Sequence, residues 1–118
     1  MREILFYKTD SERCPVEDFI DSLSGKQAQK VLWVLRLIEE LDSVPSKYLK
    51  KLVNTKDIWE IRVGFGNDIF RFLGFFDNEQ LIILTNGFAK KTQKTPVREI
   101  ELAERRKQDY LSRRQNDE

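Results

Sequence analysis

Two arginines stand on strand-like stretches that are otherwise apolar. Arg62 alternates with Ile61 and Val63 in the run 58–63, and Arg71 is the one interior charge of the run 68–76. Lys90, Lys91 and Lys94 follow a third such run, and no acidic residue lies between Gln80 and Arg98. Cations converging at one end of one sheet suit phosphate groups, and the planar fork of arginine meets two oxygens at once. An arginine on an apolar strand is costly to bury without a partner or a purpose. Arg62 and Arg71 therefore keep two readings open. Either they serve an anionic ligand, or they form an ion pair with Glu60 or another carboxylate or reach the sheet edge.

Composition narrows the chemistry. The chain of 118 residues contains no histidine and a single cysteine, Cys14. This removes Ser-His-Asp and Cys-His catalysis, an internal disulfide and nearly all zinc sites. No cofactor or metal is expected. Net charge is only +1, but it is unevenly spread. Residues 1–46 carry six basic and nine acidic groups, residues 47–98 ten and five, and residues 99–118 five and six. The positive excess sits on the strand-rich middle and suits a local anionic partner, or a solvated lysine face. No apolar run approaches the roughly 20 residues needed to span a bilayer. The start, MREILFYKTD, lacks the features of a signal peptide. Membrane association is not expected, and the default location is cytoplasmic.

The positioning elements follow from periodicity. Residues 3–7 read as a strand. Pro15, with Glu17 and Asp18 in the first turn, starts a short helix that Gly25 stops or bends. Residues 26–42 form the longest helical pattern, with Ala28, Val31, Leu32, Leu35, Ile38 and Leu41 in one stripe. Trp33, Val34 and Leu37 widen it, so this helix is nearly engulfed or meets another chain. A connection over 45–56 carries Lys47, Lys50, Lys51 and Lys56. Three strands over 58–63, 68–76 and 81–85, joined by short turns, predict an antiparallel meander. Thr95 as N-cap and Pro96 as first residue open a last helix, running to about Arg113 with a thin apolar stripe. The result is one α+β domain over 1–114, of order β-α-α-β-β-β-α, with a frayed tail over 115–118. The meander plus the N-terminal strand forms an antiparallel sheet. Two helices lie on one face, and the other face carries Arg62 and the lysines after the last strand.

WEIR at 59–62, Arg71 before its Phe pair and Asp77, and NGFAKKTQKTP at 86–96 leading into a REIELA helix resemble the RelE/HigB toxin superfamily. The resemblance is strongest to its phage-derived branch of host-inhibiting HigB-type toxins, and it covers nearly the whole chain. It implies a RelE-like fold and a type II toxin that acts as an endoribonuclease. Such a toxin is a ribosome-dependent mRNA interferase, cutting message in the ribosomal A site by attack of the RNA's own 2′-hydroxyl, with no metal. By position, Arg62 falls where relatives keep a basic residue on the second strand. Arg71 matches a phosphate-contacting arginine on the third strand. Lys90 and Lys91 match the basic pair after the last strand. The resemblance thus gives Arg71 and Lys91 to transition-state charge and Arg62 to orientation. Lys90 and Lys94 go to the RNA backbone, and Lys50, Lys51 and Lys56 to ribosomal RNA. Some members move protons with histidine or a C-terminal tyrosine. Here histidine is absent and Tyr110 falls late on its helix, which leaves base and acid unassigned.

The same resemblance implies a helix-turn-helix antitoxin as partner, the ribosome and its mRNA as target, and operator DNA contacted only through the antitoxin complex. The wide helix over 26–42 and the thinly striped last helix are surfaces such a partner can take. A different class stays open as the alternative: a ParE-like toxin that binds DNA gyrase and cleaves no RNA.

Overall fold

The computed structural model describes residues 1–89 and 94–117. The elements are β1 (Glu3–Phe6), α1 (Pro15–Asp21), α2 (Gly25–Glu40), β2 (Leu49–Lys51), β3 (Trp59–Phe65), β4 (Asp68–Asn78), β5 (Leu81–Ala89) and α3 (Val97–Asp117). This is the RelE-like order expected above, with the short strand β2 added inside the 45–56 connection. The five strands lie in the order β1-β5-β4-β3-β2. The meander β3-β4-β5 is antiparallel, as is β2 on β3, but β1 runs parallel to β5. The connection from β1 through α1 and α2 carries the chain across one face, and this crossover lets β1 return beside a strand of the same direction.

Helices α1 and α2 bury Val16, Ile20, Val31, Val34, Leu35 and Ile38 against Ile61, Val63, Phe70, Phe72, Ile82 and Leu84. Phe19 meets Phe72 edge-on at 5.7 Å between ring centroids. Helix α3 lies on the opposite face, over Ile58, Leu73, Phe75 and Ile83, which it covers with Ile100, Ala103, Tyr110 and Leu111. The face expected to carry Arg62 is therefore also the face that α3 covers. Strand β4 is buried on both sides, which is why its sequence is an almost unbroken apolar run. Polar contacts widen the thin stripe of α3. Tyr7 Oη donates to Asp109 at 2.5 Å, Arg106 to the Thr85 carbonyl at 2.8 Å, and Asn86 Nδ2 to Glu99 Oε1 at 3.0 Å. Burial and the neighbouring Asp109 carboxylate push the Tyr7 phenol above its ordinary pKa. With these anchors α3 continues to Asp117, past the end near Arg113.

Two further expectations are corrected. Gly25 does not end a helix; it is the first residue of α2, behind the N-cap Ser24. The Ser24 hydroxyl accepts from Gln27 N at 3.2 Å, and Gln27 Oε1 accepts from Ser24 N at 2.9 Å. This reciprocal pair satisfies two amides that the helix itself leaves unbonded. Ser24→Ala is expected to lower stability by about 1 kcal/mol in urea unfolding. An unchanged midpoint would mean that solvent replaces the cap. Thr95 is the second correction. The first helical acceptor is the Pro96 carbonyl, which takes the amides of Glu99 at 3.1 Å and Ile100 at 3.2 Å. The Thr95 hydroxyl instead donates to Glu60 on β3.

The outer edge of β1 is blunted. Glu39 accepts the amides of Arg2 and Ile4, through its carbonyl at 2.9 Å and its carboxylate at 3.0 Å. The Arg2 guanidinium donates to the carbonyls of Ile38 at 3.2 Å and Asp42 at 2.9 Å, and so caps the end of α2. Both contacts occupy backbone groups that would otherwise offer an open template. Gly74 marks a register shift between β4 and β5, where a Cβ would stand 2.3 Å from the Ile83 carbonyl oxygen. Only glycine fits that approach.

Candidate functional site

Arg62 and Arg71 are directly opposed in the β3–β4 register, so their side chains leave the sheet on the same face. Two like charges side by side need a counter-charge, and Glu60 supplies it. Glu60 precedes Arg62 by two residues on β3 and therefore shares its face. Its carboxylate is 2% exposed. Oε1 lies 2.9 Å from Arg62 Nε, and Oε2 lies 3.5 Å from Arg71 Nη1. The same Oε2 accepts from the Thr95 hydroxyl, to which Arg71 Nη1 also donates at 3.3 Å. One buried carboxylate thus ties β3, β4 and the entry to α3 together. The ion pair that the sequence left open for Arg71 is present.

The two arginines differ in reach. Arg71 has no exposed side-chain surface, whereas Arg62 is 33% exposed. Arg62 opens into a cleft of about 330 Å³ lined also by Lys30, Lys47, Tyr48, Gly64 and Ile69. The cleft is tied at its rim by the Arg62 amide, which donates to the Tyr48 carbonyl at 2.9 Å. No carboxylate is among these lining residues, and a Cβ built on Gly64 would stand in open space. Two lysines lie over aromatic rings at this cleft. Lys47 Nζ is 4.9 Å from the Tyr48 ring centroid, and Lys30 Nζ is 5.3 Å from that of Trp33. A concave surface with three cations attracts anions and favours phosphate.

The other sequence-predicted positions are dispersed. Lys50 lies opposite Glu60 in the β2–β3 register, so it shares the arginine face, and it is exposed. Lys51 belongs to the other face and pairs with Asp57 at 2.9 Å, holding that carboxyl below its usual pKa range. Lys56 is exposed, but its backbone is tied to α3. Its amide donates to Glu104 at 3.0 Å, and its carbonyl accepts from Lys107 at 2.8 Å. Lys94 is exposed beside Thr95. Lys90 and Lys91 lie outside the described residues. Tyr110 packs edge-on against Phe75 at 5.5 Å, and its hydroxyl donates to Asp77 at 3.2 Å, six residues along β4 from Arg71. Lys30, Lys47 and Tyr48 were not assigned from sequence. The two Lys-aromatic spacings, 30/33 and 47/48, were the available signal, but only the tertiary fold brings them together with Arg62. Among the described residues no group of three or more His, Cys, Asp or Glu is placed to hold a metal, and no helix is long and apolar enough to cross a membrane.

The fold and this site define a RelE-like α+β domain with an arginine-centred, acid-free cleft. Residues 18–108 match the family model described as Phage derived protein Gp49-like (DUF891), well over half of the chain. The chain belongs to that family, which is associated with RelE/HigB-type toxins. No curated protein matches the sequence.

Proposed function

We propose that the protein is the toxin of a type II toxin-antitoxin pair and acts as a ribosome-dependent mRNA interferase. The observation that carries this reading is Arg62, anchored by a buried carboxylate and opening into a cleft with Lys30 and Lys47 and no acidic lining. The family match and the RelE-like fold support the same reading.

In the proposed reaction an RNA 2′-oxygen attacks the adjacent phosphorus and loses its proton. The P–O5′ bond breaks, and the leaving 5′-oxygen takes up a proton. The products are a 2′,3′-cyclic phosphate and a 5′-hydroxyl end. Negative charge accumulates on the non-bridging oxygens, where preorganised cations are worth most. Arg62 meets those oxygens. Arg71 contributes from behind, by holding Glu60 and through it the Arg62 guanidinium. Lys91 supplies further charge, and Lys90 and Lys94 hold the RNA backbone. Exposed Lys50, with Lys51 and Lys56, contacts ribosomal RNA. The partner is a helix-turn-helix antitoxin, through which the pair reaches its operator.

The test is to add purified protein to a translation extract and map mRNA 5′ ends with and without ribosomes. Cuts confined to translated message, with 5′-hydroxyl and cyclic phosphate ends, are the expected result. Intact message would overturn the assignment. A loss of DNA supercoiling by gyrase in the same preparation would then place the protein in the gyrase-binding class.

A further inference from the structure

Helix α2 carries the most exposed tryptophan of the chain on an element whose other face is core. Trp33 and its neighbour Leu32 are each 52% exposed, whereas Val31, Val34 and Leu35 are buried. The wide apolar stripe thus splits into an inner face and an outward patch. That patch is continuous with the cleft, because Lys30 both lines the cleft and lies over the Trp33 ring. Lys47 and Tyr48, which line the same cleft, repeat the combination. Two lysine-aromatic pairs therefore adjoin the cleft into which Arg62 opens.

Proteins that hold single-stranded nucleic acid combine cations that track the backbone with aromatic rings on which bases stack. We propose that the two pairs form a single-stranded RNA track, in which Lys30 and Lys47 meet phosphates while Trp33 and Tyr48 stack bases on either side of the Arg62 phosphate. This rests on the interferase reading for the identity of the strand, and it extends the RNA surface from the sheet onto α2. The track is sequence-tolerant, since every base presents a stacking face. It also gives Trp33 a role other than a core residue or an antitoxin contact.

The probe is a fluorescein-labelled 12-nucleotide RNA with 2′-O-methyl sugars, which cannot undergo 2′ attack, titrated against the full-length protein. Trp33→Ala and Tyr48→Ala are each expected to weaken binding about ten-fold. Lys30→Gln and Lys47→Gln are each expected to lower the slope of log affinity against log salt by about 0.7. Lys8→Gln, beyond β1 at the opposite edge of the sheet, should change neither. Trp33 is one of two tryptophans, and the other, Trp59, packs against Phe76 at 5.1 Å. RNA should quench Trp33 emission, and Trp33→Phe should keep the affinity and lose the quench.

Affinity within two-fold of the parent for both Trp33→Ala and the lysine variants would overturn the track. So would a Trp33→Ala effect confined to self-association or to a protein partner. Binding through these residues without any message cleavage would uphold the track and sink the interferase reading. Arg62-dependent cleavage untouched by all four substitutions would do the reverse.

Discussion

Arg62→Ala is expected to reduce cleavage of translated message by about 10²–10³-fold, the usual effect of removing one preorganised donor from a developing oxyanion. The fold should survive. Arg62 is one-third exposed, and its loss leaves Glu60 with Arg71 and Thr95 as partners, so no buried charge is stranded. The change in stability should be about 1.5–3 kcal/mol, that of one hydrogen bond to a charged group. Arg62→Lys should recover part of the rate. It keeps a charge but loses the fork that can hold Glu60 and a phosphate oxygen together. The measurement is the rate of 5′-end appearance in a translation extract, read beside a urea unfolding curve for each variant. A ten-fold or smaller loss in a well-folded Arg62→Ala protein would remove Arg62 from the reacting phosphate and shift the chemistry toward the lysines after β5.

Much of this architecture was legible because its signals are local. Alternation in 58–63 placed Glu60 and Arg62 on one face, and the turn at Gly64, Gly66 and Asn67 fixed the β3–β4 hairpin that opposes Arg62 to Arg71. The side taken by α3 was obscured, because its apolar stripe is thin and the remainder of its docking is polar, through Tyr7, Asn86 and Asp77. The clue was Leu73 and Phe75, which alternate with Phe72 and Phe76 and need cover on the opposite face. Thr95 misled for a different reason. Threonine before proline is a sound helix start, but a carboxylate on another strand captured the hydroxyl. Tertiary competition of that kind leaves no local trace. The same holds for the cleft, since residues 30, 48 and 62 are separated in sequence and meet only after the sheet has formed.

Glu60→Ala is expected to be among the most damaging single changes in the chain, with a loss of about 3–5 kcal/mol. The reason is asymmetry. Arg71 has no exposed side-chain surface, so removing its counter-charge leaves a guanidinium that water cannot reach. Thr95 loses its acceptor in the same step, and the entry to α3 loosens from β3. A domain of this size has about 5–15 kcal/mol in total, so the variant should lose a large share of its stability. Glu60→Gln keeps the shape and an acceptor for Thr95 but not the charge, and should fall between the parent and Glu60→Ala. The informative variant is the double change Glu60→Leu with Arg71→Met. Replacing both members of a buried pair by apolar residues of similar volume is often neutral or better, so the double variant should regain most of the stability lost by Glu60→Ala. It should not regain cleavage, because the Glu60 carboxylate that meets Arg62 Nε at 2.9 Å is gone. Urea unfolding and the translation-extract assay, run on all three variants, separate the two consequences. A Glu60→Ala loss below about 1 kcal/mol would mean that the remaining contacts of Arg71, the Thr95 hydroxyl among them, compensate for the lost carboxylate. Full cleavage by the double variant would mean that Arg62 is oriented by the RNA alone.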